Sequence, residues 1–207
     1  VSAIGFTQDI TERNQAKEKL KAEHDLMQNI MEISPAGITH VNREGKIVYA
    51  NQRAQEILGI RSDEAGTINF DDPKWEITDF FGNPIPPEKL PFYIVKKTGK
   101  SVYGIQHAIE CPNNGRRTLL SINSSPLMND KGKFSGMVSS LEDITEKHKT
   151  EKKYKMLFDE MIDGFALHEV ICDDSGKPVN YRFLEINPAF ERMTGLKSES
   201  LIGRMVL

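Results

Sequence analysis

A chain of 207 residues with 38% hydrophobic residues carries enough apolar mass for one large packed domain or two smaller ones. Its 27 lysines and arginines stand against 30 acidic residues, a net charge of −3, so no broad electrostatic attraction to nucleic acid or to an anionic membrane is built in. The longest apolar runs fall far short of the roughly 20 residues a membrane span requires, and no basic segment leads into an apolar leader. The expected setting is the cytoplasm, where Cys111 and Cys172, which match no metal or disulfide spacing, read as ordinary thiols.

In chain order, the strand-like run Ser2–Thr7 leads into Asp9-Ile10-Thr11-Glu12-Arg13. Thr11 to Ile33 follows, rich in Lys, Glu and Gln, with Ala16, Leu20, Met27 and Ile30 at helical spacing. The pattern suits an amphipathic helix packed on its own domain and a coiled-coil dimer seam equally, with Glu23 at one seam position. Ser34-Pro35 should end this helix, because a residue before proline is pushed out of the α region. Residues 37–41 and 46–50 read as strands joined by the turn Asn42-Arg43-Glu44-Gly45. The segment from Asn51 to Gly59 reads as a short helix opened by Asn and closed by Gly.

From Asp71 to Pro91 five prolines accompany Trp75, Phe80 and Phe81, predicting a long loop with helical turns. Glu88 to Lys97 is expected to be a helix with Pro91 in its first turn. Three long strands follow over 102–109, 116–125 and 133–141, separated by turns at Pro112-Asn113-Asn114-Gly115 and Asn129-Asp130-Lys131-Gly132. The last leads into Asp143-Ile144-Thr145-Glu146-Lys147, a second copy of the first junction. Further on, Tyr181–Ile186 and Asn187–Gly195 repeat the earlier strand and Asn-to-Gly helix.

The two repeats set the organisation. Residues 1–8 read as the last strand of a preceding unit and 9–33 as a helical linker. Residues 34–143 form a complete unit, 144–160 a second linker and 161–207 the first half of a following unit. The complete unit is expected to be α+β, a sheet covered on one face by helices, with room between the two for a small ligand.

Ser34-Pro35-Ala36-Gly37-Ile38, Gly45-Lys46-Ile47-Val48-Tyr49-Ala50-Asn51, the Thr98-Gly99-Lys100 turn and Asp143-Ile144-Thr145-Glu146 together resemble a PAS domain of bacterial or archaeal sensor proteins. Phe183 to Gly195, with Leu201-Ile202-Gly203-Arg204, resembles the first half of another. The resemblance implies a five-stranded antiparallel sheet flanked by short helices, acting as a sensory or dimerisation module of a sensor histidine kinase or related two-component signal transducer. It also implies a homodimer through the linker helices, with the output kinase or other effector outside this chain.

No catalytic or metal-binding set is expected. Neither His24-Asp25-Leu26, which continues Met27-Gln28-Asn29, nor His148 has the surroundings of a phospho-accepting histidine, and no nucleotide-binding glycine loop is present. The resemblance disfavours haem, because haem-binding members of the family ligate iron from a histidine on the helix preceding the long strands, and that helix has none here. The resemblance also disfavours a covalent flavin adduct, because light-sensing members of the family form it from a Gly-x-Asn-Cys-Arg-Phe-Leu-Gln motif that is absent here, and Cys111 lies in an inter-strand turn. A small metabolite or non-covalent flavin remains open, as does a purely structural spacer that binds nothing.

Trp75, Phe80, Phe81, Ile94, Tyr103, Ile105, His107, Leu120 and Ile122 are the candidate cleft walls. The plainer reading is that they fill a closed core, with His107 a satisfied core or edge histidine. Ser121, Asn123 and Ser125 mark either a polar cleft wall or a solvent face. At the junctions Asp9, Thr11 and Glu12, and Asp143, Thr145 and Glu146, are placed to couple a strand to a helix. Asp-x-x-Glu at a helix start permits a capping box, and both acids suit the positive end of the helix dipole.

Overall fold

The computed structural model describes residues 11–64, 66–111 and 115–206, and divides at Thr145/Glu146 into two compact units. The expected strand over residues 1–8 and Asp9 lie outside the described residues, as do the side chains of Thr11 and Glu12.

The first unit begins with helix α1 (Thr11–Ile33), whose Leu20, Met27 and Ile30 are exposed. Strands β1 (Gly37–Asn42) and β2 (Ile47–Ala50) form a hairpin, followed by helix α2 (Gln52–Leu58). After single 3₁₀ turns at Ser62–Glu64, Pro73–Trp75 and Pro87–Lys89 comes helix α3 (Pro91–Thr98). Strands β3 (Val102–Glu110), β4 (Arg117–Met128) and β5 (Phe134–Asp143) complete an antiparallel sheet in the order β2-β1-β5-β4-β3. The first unit is therefore α+β, with the N-terminal hairpin and the last strand meeting along β1 and β5 from Gly37↔Leu141 to Asn42↔Gly136.

The helix expected over 88–97 is shorter and split. Leu90 precedes Pro91 and is held extended (φ −75°, ψ 144°), so the turn at Pro87–Lys89 cannot run on into α3. Pro91 occupies the first position of α3, where its missing N–H costs nothing.

A single side chain organises the entry to this unit. Asn51 is fully buried. Its Oδ1 accepts from the Ala54 N–H (2.9 Å), capping α2, and from the Ile38 N–H (2.8 Å) at the start of β1. Its Nδ2 donates to the Met31 carbonyl (2.6 Å) in the last turn of α1 and to the Ala36 carbonyl (3.1 Å). Glu32 adds to the tie, its carboxylate accepting from the Gln52 N–H (3.1 Å) and from the Tyr49 hydroxyl (3.0 Å). The approach of α2 to β1 is so close that a Cβ on Gly37 would stand 2.9 Å from the Ala54 Cα.

The second unit contains most of helix α4 (Thr145–Asp159), a hairpin of β6 (Ala166–Cys172) and β7 (Pro178–Ile186), then α5 (Pro188–Thr194) and the single turn α6 (Ser198–Leu201). Asn187 repeats the part of Asn51. It is fully buried, accepts from the Phe190 and Phe165 N–H groups (2.9 and 2.8 Å) and donates to the Asp163 carbonyl (2.9 Å). Gly59 and Gly195 close the two short helices in the left-handed conformation (φ 64° and 72°).

An ordinary exposed N-cap is worth about 1 kcal/mol. Truncating Asn51 also strands two backbone N–H groups and two carbonyls, so Asn51→Ala should cost about 3 kcal/mol. Urea unfolding followed by the fluorescence of Trp75, the only tryptophan and buried in this unit, reads that loss directly.

Candidate functional site

The covered face of the sheet encloses a cavity of about 60 Å³. Its sheet wall consists of Thr39 and Val41 from β1, Ile47 from β2, His107 and Ile109 from β3, Leu120 and Ile122 from β4, and Met137, Ser139 and Leu141 from β5. The opposite wall is Leu58 at the end of α2, Phe70, Trp75, Ile77 and the start of α3 at Leu90-Pro91-Phe92. Trp75 is locked there by its indole N–H, which donates to the Leu58 carbonyl (2.8 Å), one of the orphan acceptors at the end of α2.

Polar groups interrupt this apolar lining at three places: Thr39, His107 and Ser139. The Ser139 hydroxyl pairs across the strands with that of Ser124 (2.8 Å). His107 is only 6% exposed, and its Nδ1 is buried with no hydrogen-bond partner. The sequence-based expectation of a satisfied histidine is therefore corrected. Burial pushes its pKa down to about 4, so the ring is neutral at physiological pH. His107 also lines an open groove of about 520 Å³ formed with Pro84, Pro86, Ile94 and Ile105, and it is the one residue the groove and the cavity share.

The candidate walls thus separate into groups. Trp75, His107, Leu120 and Ile122 come together around the cavity, while Ile94 and Ile105 line the outer groove. Phe80 packs elsewhere, against Ala108, Leu119 and Ile144 on the other face of the sheet. Phe81 is 92% exposed and Tyr103 75% exposed, so neither is a wall.

Both departures have local causes. Asp79 Oδ1 accepts from the Phe81 and Asn83 N–H groups (2.8 Å each), a tight turn that throws Phe81 outward, and the Asn83 side-chain amide donating to Asp79 Oδ2 (2.8 Å), with these backbone bonds after it, holds the Asp79 carboxyl below its ordinary pKa. On β3 an extra residue stands between Val102 and Ile105 where β4 advances only from Ser124 to Ile122. Gly104, at φ 63°, absorbs this bulge, which breaks the alternation and turns Tyr103 to solvent.

Ser121, Asn123 and Ser125 belong to the outer face: Asn123 accepts from the Gly104 N–H (2.8 Å) and Ser125 pairs with Ser101 (2.8 Å). Sequence reasoning passed over Thr39, Met137 and Ser139. Their signal was the inward alternation Thr39/Val41 on β1 and Met137/Ser139/Leu141 on β5.

At the second junction, Asp143 Oδ1 accepts from the Thr145 N–H (3.0 Å) while its other oxygen pairs with Arg116 (3.0 Å). The Thr145 hydroxyl accepts from the Leu119 N–H (2.9 Å), and the Ile144 N–H donates to the Leu119 carbonyl (2.9 Å). Glu146, expected to reach back across the helix start, instead pairs with Lys149 (2.9 Å), so the reciprocal half of the capping box does not form. The junction is held by Asp143 and Thr145, both tied to the sheet.

A PAS domain family model matches residues 35–146, and a second PAS domain model matches residues 152–207. The chain belongs to the PAS domain family. No curated protein gave a significant sequence match. Among solved structures, the RNA-binding light-oxygen-voltage receptor is similar at 15% identity and TM-score 0.51, covering 76% of this chain and 40% of its own. The PAS domain of a Colwellia psychrerythraea protein matches at 12% identity and TM-score 0.47, over 60% of this chain and 98% of its own. The PAS domain of an HTR-like protein from Haloarcula marismortui matches at 14% and 0.45, over 63% and 99%. Within this PAS chain, no described helix is long and apolar enough to cross a membrane.

The buried histidine makes stability pH-dependent with a definite sign. Unfolded His107 titrates near 6.5, the folded ring near 4, so between these values the unfolded chain binds the extra proton. Its contribution is fully present above about pH 6.5 and is lost as pH falls toward 4. His40, whose pKa burial also lowers, acts in the same direction. Urea unfolding at stepped pH should show the PAS unit losing up to about 3 kcal/mol more than a His107→Leu variant across this window.

Proposed function

We propose that this chain is a sensory relay segment of a signal-transduction protein, in which occupancy of the PAS cavity is passed through β4 to the Asp143-Ile144-Thr145 junction. The observation that carries this reading is the placement of two consecutive residues. Leu120 lines the cavity, while Leu119, on the opposite face of β4, exchanges hydrogen bonds with Ile144 and Thr145. The register Leu120↔Asp143 sets the two sites on adjacent strands. A ligand that displaces Leu120 acts on the strand holding both junction bonds, and Ile144, packed against Leu119 and Ala108, must follow.

The relay belongs to a cytoplasmic sensor protein of the histidine kinase type, with its catalytic domain outside this segment and no enzymatic activity of its own. The exposed stripe Leu20, Met27 and Ile30 on α1 supports a second copy of the chain as partner, as does the 23-residue length of that helix.

Amide hydrogen exchange tests the relay. Thermal-shift screening of small metabolites should find a compound that raises the melting temperature by several degrees. That compound should also change the exchange rates of the Leu119 and Ile144 amides by at least threefold. Thr145→Val, which leaves the Leu119 N–H without its acceptor, should uncouple those amides from the ligand without removing binding. Binding with unchanged exchange at both amides would refute the relay.

The dimer is tested separately by light scattering. The wild-type chain should have twice its monomer mass of 23.4 kDa at micromolar concentration, and Leu20→Glu with Ile30→Glu should return it to monomer. A wild-type monomer would exclude α1 as a dimer seam at these concentrations.

A further inference from the structure

Where the first unit hands over to α4, a second pocket of about 240 Å³ differs in kind from the apolar cavity. Arg53, Glu56 and Ile57 of α2 line one side. The other side is Cys111 just past β3, Arg116 just before β4, Thr118 within β4 and Asp143 at the end of β5. Ile57, Cys111 and Thr118 are buried, whereas Arg53, Glu56 and Arg116 are about half exposed, so these charges stand at the mouth.

The four charged groups form two pairs. Arg53 Nη1 meets Glu56 Oε2 (3.1 Å) one turn along α2, and Arg116 Nη2 meets Asp143 Oδ2 (3.0 Å) across the strand ends. Pairs this exposed to water are held weakly, and a guanidinium has five N–H donors, of which the Arg53–Glu56 contact uses one. The two positive and two negative charges cancel, so a lone anion or a lone cation is repelled by one half of the pocket as it is attracted by the other. A molecule carrying both signs meets a partner for each, and it exchanges each existing pair for two new ones. The volume suits a small molecule: an apolar cavity of about 150 Å³ takes benzene, so about 240 Å³ takes about ten non-hydrogen atoms.

We propose that this pocket binds a small α-amino acid as its zwitterion, the carboxylate held by Arg53 and Arg116, the ammonium group by Glu56 and Asp143, and the side chain directed at Ile57, Cys111 and Thr118. Asp143 belongs to the pocket and to the junction at once, because its Oδ1 accepts from the Thr145 N–H (3.0 Å). An ammonium group on Asp143 and a carboxylate on Arg116 therefore act directly on the start of α4. The site does not depend on occupancy of the apolar cavity.

Nitrogen-detected NMR of the whole chain tests this with L-alanine, L-serine and L-asparagine, and with L-alaninamide and L-lactate, which match alanine in non-hydrogen atoms but keep only one of its charges. At least one amino acid should shift the Arg53 and Arg116 guanidinium signals and the Thr145 amide saturably, leaving the Trp75 indole signal of the apolar cavity unmoved. Alaninamide and lactate should bind at least tenfold more weakly than that amino acid. Arg53→Gln should lower its affinity at least tenfold and move the preference toward alaninamide, and Glu56→Gln should move it toward lactate. Both side chains lie on the exposed surface of α2, and Trp75 fluorescence in urea confirms that the variants fold. Lactate or alaninamide binding as tightly as the amino acid overturns the zwitterion assignment. Shifts that survive both substitutions place binding elsewhere and overturn the site, as does the absence of any saturable shift with all three amino acids. None of these outcomes touches the relay from the apolar cavity, which the Leu119 and Ile144 exchange rates test separately.

Discussion

The first unit depends on one buried amide. Asn51 meets the end of α1, the start of β1 and the first turn of α2 with a single side chain, and its two donors and two acceptor sites are all engaged. Aspartate lacks the donors for the Met31 and Ala36 carbonyls, and serine lacks the reach, so asparagine satisfies all four bonds where neither does. The consequence is geometric: with α2 pinned at its N-terminus and Gly37 admitting it close against β1, the helix must lie over the sheet, and Leu58 at its other end becomes part of the cavity wall. Trp75 then bonds to the Leu58 carbonyl, so the position of the opposite wall descends from the same asparagine.

Much of this frame was legible in the sequence. Asn51 and Asn187, each with a glycine eight residues on, announced the paired short helices, and the strands, turns and covered sheet followed from alternation and turn chemistry. A deeper repeat was not legible. The triplet Ala36-Gly37-Ile38 and the triplet Asp163-Gly164-Phe165 meet their asparagines through the same carbonyl and N–H groups, and Gly164 lies against Phe190 as Gly37 lies against Ala54. The triplets share only a glycine, and hairpins of unequal length place them 14 and 23 residues before their asparagines, so no fixed-spacing comparison aligns them.

The candidate site was less legible, for reasons that lie in single residues. One inserted residue at the Gly104 bulge reverses the facing of everything before it, and sequence alternation has no means of registering the insertion. Asp79 similarly decides between Phe80 and Phe81 through backbone hydrogen bonds that leave no pattern in the side-chain types. Hydrophobicity alone treats Phe80, Phe81 and Tyr103 as equivalent core candidates, yet only Phe80 is packed into a cluster.

The wall of β4 brings these threads to one place. From Thr118 to Leu120 three consecutive residues are buried, which a strand with one solvated face cannot be, and it requires cover on both sides. The inner cover is the cavity wall around Leu120, the outer one is Ile144 with Phe80. A strand clamped this way has little freedom to move one face without the other, because packed side chains shift between discrete arrangements more readily than they compress. Leaving Nδ1 of His107 without a partner costs about 1–3 kcal/mol where a leucine would cost nothing comparable. Local rules broken inside an otherwise consistent fold concentrate where function is carried, and here the broken rule lines the same cavity as Leu120, one residue from the junction's anchor at Leu119.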